Sequence, residues 1–312
     1  MSSFDSSLTI TELKHYALIS VSGPDALKFL QGQLTCDMQN ITETHHQLGA
    51  YCTLKGRVIA LFRIFLKDNI YYLQFPIGLV ENLLKKLKKH GMFSKISIQD
   101  ESHQWQKIGV SGKPAAKVLS EILNKEIIYE VNKTEQALRD LQNDILILSL
   151  PGLEPRFELI APSTTSSPPT LNQTLWETLS QRAEIQDLEY WKLLDIRAGI
   201  PEIWPETTEQ LLPHYINLPH LNAVSFTKGC YCGQEIIARM EYRAKIKRRM
   251  IQAILLNTHK APLPGTLLFE KTEKSSDPKK DVGTVITASS TAKGVEMLIE
   301  VLDEHATSWK LS

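Results

Sequence analysis

The chain has 312 residues, of which 42% are hydrophobic and 22% charged, with 35 basic and 35 acidic side chains. This length suggests two domains or three, and the composition is that of an ordinary soluble globular protein. The zero formal charge argues against a protein that binds nucleic acid through its overall field, so direct nucleic-acid binding is not expected. Four cysteines in a chain of this length do not make a disulfide framework.

The N-terminal residues 1–20 contain charged side chains and no apolar segment of signal-peptide type. The uncharged run 210–227 has the length of a membrane span, but its prolines, histidines and asparagines do not suit a lipid-facing helix. We therefore expect a soluble protein in the reducing cytoplasm, without a membrane partner.

The first half of the chain predicts strands interspersed with single helices. An apolar alternation predicts one strand over 8–22, and a helix then begins at Gly23-Pro24-Asp25 and is interrupted or capped at Gly32. Further strands are predicted at 48–53, 57–66, 70–75, 95–99, 104–110, 127–131, 145–150 and 156–160, and helices at 78–90 and 114–123. The second helix carries a run of lysines, which we interpret as a solvated face, with phosphate binding as the less favoured alternative.

The second half begins with a Ser/Thr/Pro loop at 163–170 and two helices at 171–182 and 187–198. Strand patterns return at 249–256, 266–269, 282–288 and 295–301, separated by glycine and proline turns. These last strands predict a small antiparallel barrel or sandwich. The whole pattern indicates an α+β protein rather than a regular parallel βαβ array.

One loop stands out as a candidate site, with the sequence Lys228-Gly229-Cys230-Tyr231-Cys232-Gly233-Gln234-Glu235. Its glycines permit positive φ and close approach to the backbone, and the chain turns helical directly afterwards. A helix start and Lys228 would both favour ionisation of Cys230, which suits a nucleophilic or redox thiol. A buried cysteine acting as a small hydrophobe is the alternative. The flanking glycines favour the functional interpretation.

Other candidate residues have weaker signals. Cys230 and Cys232 form a Cys-x-Cys pair, but Cys36 and Cys52 lie far off in sequence, so we expect no structural metal site. Residues 239–249 contain six basic side chains and one acidic one, which suits either a solvated surface or an anion cradle. Aromatic residues at 16 and 191 have apolar neighbours, and core packing is the default for both.

The loop resembles the signature of the YgfZ family, folate-binding proteins of iron–sulfur cluster maintenance that are related to the glycine-cleavage T-protein, an aminomethyltransferase. The resemblance extends over most of the chain. It includes Gly23-Pro24-Asp25-Ala26, Phe29-Leu30-Gln31-Gly32-Gln33-Leu34-Thr35, Gly49-Ala50-Tyr51-Cys52-Thr53, Lys55-Gly56-Arg57, Arg197-Ala198-Gly199-Ile200-Pro201 and Leu212-Pro213.

This resemblance implies a ring of three parts around bound tetrahydrofolate. They are an N-terminal α+β unit over 1–95, with 185–245 packed around the central site, a ferredoxin-like α+β unit over 96–184, and a C-terminal antiparallel β-barrel over 246–312. It also implies a set of folate-contacting or loop-holding residues: Tyr16, Trp191, Lys228, Tyr231, Gln234, Glu235, and the tail-binding cations Arg239 and Arg248. Cys232 stands where relatives often have threonine, which would allow redox coupling or be neutral.

The implied function is that of a tetrahydrofolate-binding accessory protein for iron–sulfur cluster assembly or repair. It would act through transient contacts with iron–sulfur enzymes or assembly factors, among them enzymes that modify tRNA, and Cys230 would be its key thiol. A folate-dependent aminomethyltransferase of the glycine-cleavage type is the alternative. Whether any reaction is catalysed is left open by the sequence, and an RNA-binding module is the least favoured hypothesis.

Overall fold

A computed structural model of the chain describes residues 7–130, 135–140, 144–163, 171–243, 245–270 and 281–304. Its strands are β1 Thr9–Glu12, β2 Tyr16–Ser22, β3 Gln47–Cys52, β4 Val58–Lys67, β5 Ile70–Pro76, β6 Ser97–Asp100, β7 Trp105–Ser111, β8 Ala137–Asp140, β9 Ile145–Leu150, β10 Arg156–Pro162, β11 Glu184–Gln186, β12 Arg248–Leu256, β13 Leu267–Phe269, β14 Asp281–Thr291 and β15 Gly294–Leu302. Its α-helices are α1 Ala26–Gln33, α2 Val80–His90, α3 Ala115–Leu123, α4 Leu171–Ser180, α5 Leu188–Ala198 and α6 Gln234–Tyr242. In the residues so described, no helix has the length and apolar character that crossing a membrane requires.

Five antiparallel strands form the first sheet, in the order β3-β4-β5-β2-β6. The turn between β4 and β5 contains Asp68 and Asn69, both with positive φ, which these two residue types tolerate. Apolar side chains of α1 and α2 share one core with this sheet. Leu83 and Leu87 of α2 point into that core, and its lysines lie on the opposite, largely exposed face, which confirms the predicted solvated surface.

The prediction of one strand over 8–22 is wrong, because two strands in different sheets occupy this stretch. β1 pairs with β7 and β11 in a six-stranded sheet of order β11-β1-β7-β10-β9-β8, whereas β2 belongs to the first sheet. The chain turns at Leu13, whose amide donates to the carbonyl of Lys107 and whose carbonyl accepts from the amide of Tyr16. Both strands continue the same apolar alternation, so hydrophobic period alone does not reveal the turn.

Several smaller predictions also need correction. Residues 127–130 are irregular rather than a strand, because the amide of Ile127 donates to the hydroxyl of Ser120 near the end of α3. Gly32 lies inside α1 instead of capping it, and α4 ends at residue 180. The sequence analysis missed β8 and β11, which are only four and three residues long. Of the predicted loop 163–170, only residue 163 is among the described residues.

The third sheet contains four antiparallel strands in the order β12-β15-β14-β13. β14 and β15 are buried on both faces, because one face packs on α5 and the first core while the other forms a separate apolar cluster. Across the described ranges this sheet does not close on itself. The C-terminal barrel therefore stays a prediction.

Helix α5 joins the sheets and carries part of the candidate site. The side chain of Asp187 caps its start by accepting from the amide of Tyr190, and Gly199 ends it with a φ of 69°. Both oxygens of Glu296 in β15 accept from Arg197, at 2.9 and 2.6 Å. The helix is therefore attached firmly to the third sheet.

The packing of α5 on the six-stranded sheet gives a direct test of the fold. A Cβ at Gly109 in β7 would lie 2.4 to 2.8 Å from three ring atoms of Trp191. Gly109→Ala should therefore lower the free energy of unfolding by about 1–3 kcal/mol in urea denaturation. Gly32→Ala is the matched control, because a Cβ there meets no atom within 4 Å. It should leave stability unchanged or raise it by up to about 1 kcal/mol. A Gly109→Ala protein as stable as wild type would contradict this packing.

Candidate functional site

The signature loop, residues 228–235, packs on the first sheet and leads into α6. Gly233 precedes the helix with a φ of 82°, and a Cβ there would lie 2.5 Å from the carbonyl oxygen of Thr53. The amide of Cys232 donates to the carbonyl of Gly32 at 3.1 Å. Glycine is thus required at residue 233 both by the backbone conformation and by the close approach of a neighbouring chain segment.

Lys228 holds the start of the loop against the segment that contains Leu34 and Cys36. Its buried ammonium donates to the carbonyls of Leu34 at 2.7 Å and Cys36 at 2.6 Å, and lies 5.0 Å from the ring centroid of Tyr231. Burial lowers the pKa of Lys228 to about 8, against smaller opposite effects of Cys36 and Asp37. The structure gives this ammonium no hydrogen bond to Cys230 among the described residues, so its contacts position the loop.

The four cysteines are all free, and their exposure differs sharply. Cys230 is exposed on the loop and Cys232 is half-buried, while Cys36 and Cys52 are buried. Burial raises the pKa of the Cys36 thiol to about 12 and raises the pKa values of Cys52 and Cys232 as well. Only Cys230 is therefore an openly accessible thiol. In the part of the chain that the structure describes, no group of His, Cys, Asp and Glu side chains could hold a metal ion.

The predicted anion-binding cations are already paired. Arg239 lies 3.5 Å from Glu235, one turn away on the exposed face of α6. Arg248 pairs at 2.8 Å with the buried Glu300 of β15. A ligand with an anionic tail would have to compete with these carboxylates. The exposed Arg239 pair is the weaker competitor, because such pairs contribute little free energy in water.

A second group of polar residues surrounds Tyr16, at the start of β2. The hydroxyl of Tyr16 donates to Glu202 Oε1 at 2.5 Å and lies 3.5 Å from Asp195 Oδ2. Burial, and after it the charge of Asp195, raises the pKa of Glu202 to about 7. Burial and these two carboxylates hold the pKa of Tyr16 well above its ordinary value. Burial and the neighbouring carboxylate thus favour the neutral form of Glu202.

These residues border a partly open cavity of about 30 Å³. Its walls are formed by Tyr16, Leu48, Leu61, Phe62, Arg63, Gln74, Phe75, Pro76, Asp195, Ile200, Pro201 and Glu202. Aromatic and apolar side chains thus surround a few polar groups, which is the composition of a small-molecule site. The interior has room for about one or two water molecules.

Trp191 is not among the residues that line this cavity and is only 2% exposed. Its ring is held between Gly109 and the guanidinium carbon of Arg156, which lies 4.4 Å from the ring centroid. Arg156 in turn donates to Asp195 Oδ1 at 2.9 Å. The structure therefore connects Trp191 to the cavity through an intervening side chain. No hydrogen bond or ring contact between described residues joins the Tyr16 group to the signature loop.

Sequence reasoning missed the acidic residues of this group, although two of them left a signal. Asp195 falls four residues after Trp191 on the buried face of α5. Glu158, which accepts from Gln74 of the cavity wall at 2.5 Å, interrupts the apolar strand β10. Charged residues at such positions are uncommon unless they are paired. Glu202 follows Ile200-Pro201 in a loop and has no comparable pattern around it.

Comparison with known proteins places this geometry in a family. The chain is 35% identical over 241 residues to the "tRNA-modifying protein YgfZ" of Colwellia psychrerythraea, which covers 77% of this chain and 70% of that protein. It is 36% identical over 244 residues to the protein of the same name from Yersinia pseudotuberculosis, covering 78% of this chain and 70% of that one. The chain belongs to the YgfZ family.

Two further matches agree with YgfZ membership. The family model described as "GCVT N-terminal domain" matches residues 2–138. The crystal structure of the glycine cleavage system aminomethyltransferase T from Bartonella henselae superposes with a TM-score of 0.71, covering 95% of this chain and 78% of that one. At 16% sequence identity this similarity shows a shared fold. The YgfZ chain thus has the mixed α/β fold of the aminomethyltransferase T.

The buried ammonium of Lys228 predicts a pH dependence of stability. Its pKa is lower in the folded chain than in the unfolded one, so between about pH 8 and 10.5 the unfolded state binds more protons. Wild-type stability should therefore rise through this window relative to Lys228→Met. The unfolding free energy of wild type minus that of Lys228→Met should increase by about 1–2 kcal/mol from pH 7 to 9.5.

Urea denaturation at several pH values measures this difference. Lys88→Met, at an exposed position of α2, is the reference for the substitution itself. If the unfolding free energy of wild type minus that of Lys228→Met decreased with rising pH, the burial of this ammonium would be contradicted.

Proposed function

We propose that this chain is a tetrahydrofolate-binding accessory protein for iron–sulfur cluster assembly or repair. It would support cluster-dependent enzymes in the cytoplasm, including enzymes that modify tRNA, through transient contacts with them or with assembly factors. The observation that carries the proposal is the combination of an acceptor-lined aromatic cavity at Tyr16 with an exposed thiol at Cys230 in the signature loop. The names of its YgfZ relatives support the connection to tRNA modification.

The residues around Tyr16 have the chemistry that a reduced pterin requires. The cavity combines aromatic walls with buried carboxylates that can accept from ring and exocyclic N–H groups. An interior of about 30 Å³ admits the edge of such a ring, and the remainder would lie across the open side. Tetrahydrofolate, when bound, supplies a carrier for one-carbon units. Arg239 or Arg248 would exchange its carboxylate partner for the glutamate tail, and Trp191 would act by holding Arg156.

In this proposal the loop presents the exposed thiol of Cys230 to a protein partner at the surface. The loop that carries it is fixed by Lys228, by the buried ring of Tyr231, and by the start of α6 at Gln234 and Glu235. A rigid loop with an exposed sulfur can meet a partner without prior unfolding. The proposed architecture is a ring of two α+β units and a C-terminal barrel, with unit boundaries at residues 95, 184 and 245.

The fold match to an aminomethyltransferase favours one alternative, a folate-dependent aminomethyltransferase of the glycine-cleavage type. This activity would transfer a one-carbon unit from an aminomethyl-lipoyl carrier to tetrahydrofolate. Formation of methylenetetrahydrofolate from that carrier by the purified chain would favour the alternative over the accessory role.

Binding of tetrahydrofolate to the cavity can be measured by calorimetry. Tyr16→Ala should weaken binding about 10-fold, because it removes the aromatic face and the hydroxyl that holds Glu202. Tyr242→Ala, at a tyrosine that is 69% exposed on α6, should bind like wild type. Absence of wild-type binding at millimolar folate would count against both folate-dependent functions.

The role of the thiol can be measured in cells that depend on this protein for the activity of iron–sulfur enzymes. Cys230→Ala should abolish this support while leaving the melting temperature unchanged, because the side chain is exposed. Cys232→Ala removes the half-buried thiol two residues away and should retain support. Full complementation by Cys230→Ala would show that the thiol hypothesis is wrong.

A further inference from the structure

A second cavity lies on the six-stranded sheet, and none of its described lining residues borders the Tyr16 cavity. Its volume is about 380 Å³, and Ser149 is among the residues that line it, so we call it the Ser149 cavity. This volume falls within the range of small-molecule sites in proteins. The Ser149 cavity is therefore large enough to bind a ligand of its own.

Strands β9 and β10 form the floor of the Ser149 cavity. Ser149 pairs with Phe157 across these strands, and Ile147 lies two residues before Ser149 on β9. Side chains at such positions point to the same face of a sheet, so the hydroxyl of Ser149 lies among apolar groups. Arg156 and Glu158, on either side of Phe157, point to the opposite face and bond to residues around Tyr16. Strand β10 thus separates the two cavities.

The segment that follows α3 faces this floor and is held at both ends. The amide of Ile127 donates to the hydroxyl of Ser120 at 2.9 Å, and the hydroxyl of Tyr129 donates to the carbonyl of Leu150 at 3.2 Å. The ring of Tyr129 packs edge-on against that of Phe157, with the centroids 5.8 Å apart. These contacts oppose an inward movement of the segment that would fill the cavity.

The hydroxyl of Ser149 supplies a polar group inside the cavity. Ser149 is only 5% exposed, its amide donates to the carbonyl of Gln136 at 2.9 Å, and its carbonyl oxygen lies 2.9 Å from Nε2 of His46. Its hydroxyl has no hydrogen-bond partner among the described residues. Buried hydroxyls normally have a partner, so this one points to a bound group that supplies it. Apolar walls hold water poorly, which favours an organic ligand over solvent.

The charge of the lining restricts the ligand further. Among the described lining residues the one charged side chain is Glu126, which lies on the exposed rim. Its carboxylate repels an anion, and the described lining contains no basic side chain that could neutralise one. The hydroxyl of Ser149 can both donate and accept. It therefore suits a neutral hydroxyl or amide group.

We propose that the Ser149 cavity binds a neutral small molecule that has an apolar ring or chain and one hydroxyl or amide group. The apolar part packs on Ile127, Leu138, Ile147 and Phe157, and the polar group bonds to the hydroxyl of Ser149. An engineered apolar cavity of roughly 150 Å³ binds benzene, so the larger Ser149 cavity accommodates a substituted benzene. This inference goes beyond the proposed function and does not depend on it.

Three probes of similar shape test the proposal by calorimetry on the full chain without folate. They are 4-ethylphenol, ethylbenzene, which lacks the hydroxyl, and the anion 4-ethylbenzoate. Wild type should bind 4-ethylphenol with a Kd on the order of 0.1–1 mM. It should bind 4-ethylbenzoate at least about 10-fold more weakly, because a buried carboxylate would lack a counter-charge.

Two variants locate the binding site. Ser149→Ala should weaken binding of 4-ethylphenol about 3- to 10-fold and leave that of ethylbenzene unchanged, because it removes one neutral hydrogen bond. Leu138→Trp should abolish binding of both, because the larger ring occupies the cavity. Leu54→Trp, at a residue that is 82% exposed and outside the lining, is the matched control and should bind like wild type. Thermal melting of each variant shows that it is folded.

The other outcomes overturn the proposal. If wild type binds none of the probes at millimolar concentration, the cavity is not a ligand site. If both Ser149→Ala and Leu138→Trp bind 4-ethylphenol like wild type, the phenol occupies another part of the surface. Binding of 4-ethylbenzoate as tight as that of 4-ethylphenol would contradict the selection for a neutral ligand. None of these results bears on folate binding at Tyr16.

Discussion

A buried ion pair between Arg156 and Asp195 holds the candidate site together. The two side chains are 2% and 6% exposed, and their atoms lie 2.9 Å apart. Arg156 belongs to the six-stranded sheet and Asp195 to α5, so the pair fixes the helix on that sheet, with Trp191 stacked under the guanidinium. Removing either partner would leave a buried charge uncompensated, at a cost of about 3–5 kcal/mol. The position of Tyr16 and Glu202 depends on this attachment, because both lie against Asp195.

The first sheet supports both the Tyr16 cavity and the loop that carries Cys230. Its strand β4 supplies Leu61 and Phe62 to the walls of the Tyr16 cavity. The turn that precedes β4 contacts Gly233 and so fixes the loop of Cys230. Because both features rest on one hydrogen-bonded sheet, neither can shift far relative to the other without breaking strand pairing. In the proposed function, this common support keeps the folate cavity and the reactive thiol in a constant relation.

Hydrophobic period and turn residues predicted most of the helices and the long strands, because burial on one face imposes these patterns. They failed where a short element depends on tertiary contacts, as in β8 and β11, or where two strands continue one alternation through Leu13. The signature loop was found because its glycines mark it as a site, and Gly233 is indeed needed for positive φ and close packing. The partners of Tyr16 were not found, because Glu202 and Asp195 meet its hydroxyl only through the fold. The carbonyl contacts of Lys228 were missed for the same reason.

A crystal structure of the chain with bound tetrahydrofolate tests the central claim most directly. The account predicts that the pterin lies in the cavity bordered by Tyr16 and Glu202 and that the Arg156–Asp195 pair stays intact. A pterin bound away from Tyr16 and Glu202 would contradict the account.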